Sequence, residues 1–281
     1  MNQLSLEQKV RIVHNLVRGN GIRGTADLAQ VTKNSVNKVL VEVGQACKEF
    51  HDENVVNVDA KRIECDEQWG FIYSKQKNVD RNKIQVEHAG DAWTWVALAA
   101  ESRLIVDWYV GTRTAESANV FMTSLAARLK NQVELNTDGL RLYEDAVEHA
   151  FQGKISYAQL VKSYGPSEKD GKIDKREQYT GNEKMRICGS PDMDKVSTSY
   201  VERVNFTTRM QVNRMARKTD GFSKKFENHC HAIALNYVYY NFVRIHSTLR
   251  ITPAMEAGLT NRLWEIADLV KLADEKKINS K

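Results

Sequence analysis

Apolar residues recur at helical spacing up to Val43, and from Lys61 they run in short continuous or alternating blocks. The chain therefore builds a small helical unit before a strand-containing one. Leu6, Val10, Val13 and Val17 fall on one face of a helix over 5–18, and Gly19, Gly21 and Gly24 break it. Thr25–Gln30 gives a short helix and Val31–Thr32 a sharp turn. Thr32 then caps a helix with Val36, Val39, Leu40 and Val43 on its apolar side. That spacing predicts a helix-turn-helix. Residues 44–60 finish the last helix and pass into a polar connection, with a boundary near residue 55.

Lys61–Tyr73, Ala92–Ala100 and Leu104–Gly111 read as strands. The last two turn as a hairpin near Ser102, and a polar loop over 73–91 separates the first two. Helical spacing returns over Ala115–Lys130, followed by a strand at Val133–Thr137 and a helix from about Leu140 to Phe151. Three antiparallel strands, a helix, a strand and a helix spell the ribonuclease H-like order. The expected class is α/β (α+β): an all-α helix-turn-helix domain at 1–55, a ribonuclease H-like mixed-sheet domain at 56–218 and C-terminal helices at 219–281. Trp69, Trp93, Trp95 and Trp108 read as sheet core and rim.

Such a sheet gathers residues that are distant in sequence, and three acids are placed to use it. Asp66 in IECDEQWGF and Asp138 in VELNTDGLRLY lie in or at the end of strands, and Glu202 in SYVERVNFTTR opens a helix. Mg²⁺ and Mn²⁺ take oxygen ligands, and two such ions on a carboxylate set serve phosphodiester chemistry. Each acid also has a plainer role. Asp138-Gly139 is a turn pair, and alternation sends Glu67 to the face opposite Asp66, where it reads as a solvated partner. Ser199-Tyr200-Val201-Glu202 matches a capping box, so a metal-binding Glu202 would leave capping to Ser197 or Thr198.

Lys33, Asn34, Ser35, Asn37 and Lys38, on the polar side of the third helix, are residue types that meet phosphates and base edges. The solvated face of a three-helix protein-binding module is the alternative. Arg203, Asn205, Arg209 and Arg214, with Arg217 and Lys218, form a basic run after Glu202, in which Asn205 and Arg209 share its helical face. A net charge of +5 and a pI near 8.9 agree with an anionic partner. Cys47, Cys65, Cys188 and Cys230 are too dispersed for a zinc ribbon or dithiol and read as buried thiols. With no signal peptide and no membrane-length apolar run, the expectation is a cytoplasmic protein with no membrane partner.

Six segments share their order and context with one family: GNGIRGTADLAQVTKNSVNKVLVEVG, IECDEQWGF, DAWTWVALAAESRLIVDWYVGTRT, NTDGLRLYEDAV, YVERVNFTTR and YNFVRIHSTL. Over most of its length the chain resembles DDE transposases of the insertion-sequence-one family. The resemblance implies a bacterial, nucleoid-associated enzyme that binds the terminal inverted repeats of its element on double-stranded DNA. It also implies Mg²⁺-dependent 3′-end cleavage and strand transfer, with Mn²⁺ as substitute and two ions per site on Asp66, Asp138 and Glu202. Two features depart from the family. The zinc ribbon that precedes the helix-turn-helix in many relatives is missing, so no zinc is expected, and 63 residues separate Asp138 from Glu202. That span includes SYGPSEKDGKIDKREQYTGNEK, read as an inserted loop over about 152–184 with Met185–Cys188 as a fifth strand. Its length leaves Glu183 as the substitute third acid.

Beyond Thr219, Phe222, Phe226, Cys230, Ile233, Tyr237 and Tyr240 share one face of a long helix ending near Asn241. His229 and His231, two apart, point in different directions and do not suit a metal. His246 in RIHSTLRITPAM resembles the family's tail motif, whose helix packs near the catalytic site; a solvated or capping histidine fits equally. Thr252-Pro253 starts a helix, and Leu259–Ala273 gives a last amphipathic one whose apolar side could dock on the catalytic domain or a second subunit. Joining two element ends to one target needs at least two active sites, so a homodimer or higher homo-oligomer is expected. A non-enzymatic regulator derived from a transposase and a structure-selective nuclease of the same fold are the alternatives.

Overall fold

The computed structural model describes residues 4–169, 172–217 and 219–279. Among them are ten α-helices and a six-stranded mixed sheet. Helix α1 (Leu6–Leu16) starts from a capping box in which Ser5 and Gln8 satisfy each other's amides. Its buried side is Lys9, Ile12 and Val13, with Val17 beyond, whereas Leu6 is 44% exposed. Gly19 turns the chain at φ +86°, and a Cβ there would lie 2.5 Å from the Met210 carbonyl. The second helix, α2 (Ile22–Leu28), has Gly21 at its N-cap position, so Gly24, expected in the break before that helix, sits inside it. Thr32 caps α3 (Lys33–Asn54) as expected, accepting from Ser35 N at 3.1 Å. Residues 44–54 continue α3, because Cys47 and His51 extend its buried face.

The sheet follows as β1 (Arg62–Ile72), β2 (Gly90–Ala99) and β3 (Ile105–Gly111), with a short helix α4 (Gln76–Asn82) inside the expected loop. Next come α5 (Ala115–Arg128), β4 (Glu134–Asp138) and α6 (Leu142–Phe151), all close to their expected limits. The stretch after α6 is not a loop. Tyr157, Ala158 and Leu160 are buried and start a fifth strand, β5 (Ser156–Lys169), which pairs antiparallel with β6 (Lys172–Cys188). Met185–Cys188 is therefore the end of the sixth strand. Residues 170 and 171, within the expected insertion, lie outside the described residues. The strand order is β3-β2-β1-β4-β5-β6, with β1, β4 and β5 mutually parallel and β2, β3 and β6 antiparallel to their neighbours.

Helix α7 (Ser199–Gln211) leads to α8 (Phe226–Val238), which widens into a π-helical turn over Tyr239–Val243. In that turn the Asn241 side chain accepts from Ile105 N (2.9 Å) and donates to Ile105 O (2.8 Å), closing the start of edge strand β3. From Ala232 to Phe242 every residue is buried. Thr252 caps the short α9 (Pro253–Glu256), and the final helix α10 (Ile266–Asn279) begins later than expected. The Trp264 ring packs on Phe50 and Phe242, which holds the preceding residues out of a helix, and Asp268 accepts from Glu265 N at 2.8 Å.

The apolar side of α10, through Leu269, Val270 and Ala273, lies against α1 and α3 of the same chain. Lys9 pairs with Asp274 at 2.6 Å across that contact. Helix α3 also crosses α8 closely: a Cβ on Gly44 would lie 2.5 Å from the His231 carbonyl oxygen. One continuous apolar core consequently runs from Ile12 through the sheet to Ala273, crossing the expected boundary at residue 55.

Candidate active site

Strands β1 and β4 run parallel in the register Arg62↔Glu134, Ile63↔Leu135, Glu64↔Asn136. Two residues further along each strand stand Asp66 and Asp138, so the register that pairs the strands also sets these two acids side by side. Asp138 keeps its turn role, since its Oδ1 accepts from Leu140 N at 3.1 Å. Carboxylate oxygens of Asp66, Glu67 and Asp138 lie within 4.8 Å of one another. Glu202 reaches the same place from α7: Asp66, Asp138 and Glu202 line one open cleft of 810 Å³. Glu183, on β6 opposite Val161 of β5, is exposed and does not line that cleft.

Alternate residues of β1 fasten α7 above the sheet. Glu64 Oε2 accepts from Tyr200 N (2.8 Å) and Val201 N (3.1 Å), capping the helix with a carboxylate. Asp66 Oδ2 accepts from Asn205 Nδ2 at 2.8 Å, and Gln68 Nε2 donates to Asn205 O at 2.8 Å. Ser197 takes the amide of Ser199 (3.1 Å), and the expected capping box at Ser199 does not form. Relieved of capping, the Glu202 carboxylate instead accepts from Thr198 Oγ1 (2.5 Å) and from Lys162 Nζ on β5.

The other face of β1 carries Glu67. It is buried rather than solvated, accepting from Arg113 Nε (2.9 Å) and Nη2 (2.6 Å) and from Tyr143 OH (3.1 Å). Burial, then the charges of Asp138 and Asp66, push its pKa up to about 7. Burial and the Asp138 charge likewise push Asp66 up to about 6, and burial raises Asp138. Burial pushes Glu64 to about 7 despite its two amide donors. The carboxylates of this cleft thus repel one another in a poorly solvated place, an arrangement that a cation relieves.

Of the residues expected to meet DNA, Lys33, Asn34 and Lys38 are exposed at the start of α3, with Lys38 Nζ 3.9 Å from Glu42. Ser35 and Asn37 are half-buried, and the Ser35 hydroxyl lies 3.0 Å from that of Thr32. The basic run after Glu202 is not a surface stripe. Arg203 is exposed, while Arg209 is half-buried near Arg217 and Asp66 with its Nε unpartnered. Two of the four are corrections: Asn205 is 4% exposed and serves Asp66, and Arg214 lies in a 3₁₀ turn beyond α7. Its Nη1 donates to Asn228 O at 2.9 Å, and burial lowers its pKa to about 10. Lys218 lies outside the described residues.

Sequence reasoning does not single out Glu64, Arg113, Lys162 or Tyr143. Glu64 is two residues before Asp66 and so shares its face, a signal that strand alternation offers. Arg113 and Lys162 reach their partners only through the tertiary fold. His229 is fully buried with Nδ1 2.8 Å from Ser223 Oγ. Among the described residues no helix is long and apolar enough to cross a membrane. No protein-family model matches the chain, and no curated protein matches its sequence.

Proposed function

We propose that this chain is a DNA transposase of the DDE type, acting on double-stranded DNA in a bacterial cytoplasm. In this reading the α1–α3 unit binds terminal inverted repeats, and the acid-lined cleft cleaves 3′ ends and transfers them into target DNA. The observation that carries it is the convergence of Asp66, Asp138 and Glu202, from two strands and a helix, on one open cleft. The order β3-β2-β1-β4-β5, with only β2 running against the others, agrees with a ribonuclease H-like sheet and supports the same reading; the β6 arm is added to its edge. Exposed Lys33, Asn34 and Lys38 at the head of α3 suit a phosphate-lined groove.

The donor set fits Mg²⁺ or Mn²⁺. It consists of carboxylates alone: oxygens of Asp66 and Asp138 lie within 4.8 Å of each other and of Glu67, and Glu202 lines the same open cleft, which admits a phosphate. Asp66, Asp138 and Glu202 would hold the ions. Two such ions supply an activated attacking oxygen and charge stabilisation for the leaving 3′ oxygen. The protein's own part is to fix the acids: Asn205 orients Asp66, the Leu140 amide orients Asp138, and Glu64 steadies the turn of α7 that carries Glu202. Arg113 pairs with Glu67 at 2.6 Å, which engages the acid beside Asp66 and Asp138 and leaves those two for the ions. Because joining two ends requires two such sites, the working form is a homo-oligomer.

The test uses labelled duplex DNA spanning the boundaries of the protein's own coding locus, incubated with Mg²⁺ or Mn²⁺ beside Asp138→Asn. Metal-dependent nicked and joined products that vanish in the variant are expected. Binding without cleavage in either protein would make it a regulator, and cleavage without joining a nuclease.

A further inference from the structure

The opposite side of α7 faces a second cleft, of 620 Å³, between the helix, the β2–β3 turn and the segment after α8. Its lining carries Arg103, Arg203, Arg244 and His246 and no acidic residue. Among the described residues none of the three guanidiniums has a carboxylate within 4.0 Å. Arg103 is held at φ +61°, with its guanidinium 3.3 Å from the centroid of the Tyr200 ring, so its fork is presented in a fixed orientation. Arg244 Nη1 is buried without a hydrogen-bond partner. Burial and then the charges of Arg103 and Arg244 lower the pKa of His246.

We infer that this second cleft binds the phosphodiester backbone of a nucleic-acid strand, separately from the head of α3. The inference rests on the reading of the chain as a DNA-acting enzyme. Guanidinium forks match phosphate oxygens two at a time, and the hydroxyls of Ser199, Thr207 and Thr248 on the same walls add neutral donors. Three arginines gathered in one cleft repel one another, and phosphates that fill the cleft relieve that repulsion. Since α7 carries Glu202 on one side and Arg203 on the other, one helix would be gripped by the strand on both sides.

The experiment measures binding of a 30-base-pair duplex by fluorescence anisotropy in EDTA across a salt series, for wild type and Arg103→Gln, Arg203→Gln and Arg244→Gln. Thermal melts confirm folding, and the exposed Arg203→Glu replaces any variant that fails to fold. Each lost phosphate contact should lower the slope of log K against log salt by about one, which is about eightfold weaker binding near 0.1 M salt. Inorganic phosphate at equal ionic strength should compete weakly; competition as strong as that of the duplex would assign the cleft to a free anion and overturn the proposal. Unchanged slopes in all variants would also overturn it, even with metal-dependent cleavage intact. Lowered slopes in a protein that never cleaves DNA would uphold this cleft and remove the catalytic reading alone.

Discussion

Asn205 donates its side-chain amide to Asp66 Oδ2 at 2.8 Å, joining the helix that bears Glu202 to the strand that bears the first acid of the cleft. Glu64, Asp66 and Gln68 all point to this face of β1 and all bond α7, so strand and helix position the acids as one unit. Asn205→Ala should lower DNA cleavage by about 10- to 100-fold, as loss of a ligand's supporting bond does. Its pH–rate profile carries the diagnostic. The amide lowers the Asp66 pKa, so the acid limb should move to higher pH in the variant. A fall in rate with an unmoved limb would mean that Asn205 only supports the fold.

The raised acids set a pH dependence of stability. Asp66 moves from 3.8 to about 6 on folding, so the folded state holds a proton the unfolded chain has released. Its contribution is present below about pH 4 and is lost as pH rises to about 6. Buried His229, lowered to about 3, and His51, also lowered, act with the opposite sign below pH 6.5, so only a difference isolates the acid. Relative to wild type, Asp66→Asn should gain a few degrees in melting temperature between pH 4 and pH 7 without metal. Mn²⁺ should erase that gain by stabilising wild type alone. A gain independent of pH would contradict the assignment.

Lys162 Nζ bonds Glu202, occupying with its own charge the acid that α7 brings to the cleft. An incoming divalent ion competes with that ammonium. Lys162→Met should therefore tighten Mn²⁺ several-fold in calorimetric titration, whereas weaker binding would make Lys162 a support of the metal site rather than its competitor.

Gly44→Ala should destabilise the whole chain by about 1–3 kcal/mol, because its Cβ would meet the His231 carbonyl at 2.5 Å where α3 crosses α8. Urea unfolding followed by tryptophan fluorescence and by far-UV dichroism should show one coincident transition at a lower midpoint. Two separated transitions would mean that the N-terminal helices unfold independently of the sheet.

Strands β2 and β3 are legible in the sequence as dense apolar blocks, β1 and the short β4 by apolar residues interleaved with polar ones, and Thr32 and Thr252 announce their helices by capping. The hairpin β5–β6 is not legible. Among its described side chains only Tyr157, Ala158, Gln159 and Leu160 are buried, and the strands beyond them pair with each other and carry no hydrophobic period in the sequence. Leu259–Glu265 carries helical spacing yet stays non-helical, since Trp264 is claimed by Phe50 and Phe242. In the cleft, Asp66, Asp138 and Glu202 are nameable from their contexts. The bonds from Glu64 and Gln68 to the backbone of α7 span 136 or more positions and leave no local trace. Arg214 shows the converse: a basic residue in a basic run whose burial only the tertiary packing decides.

The most direct measurement is a crystal of the protein soaked in Mn²⁺ and examined at the manganese absorption edge. Anomalous peaks in contact with the carboxylates of Asp66 and Asp138, with Glu202 turned from Lys162 toward the ions, are the expected result. A cleft that stays free of manganese at millimolar concentrations, or a peak held elsewhere, would contradict a metal-dependent phosphodiester site.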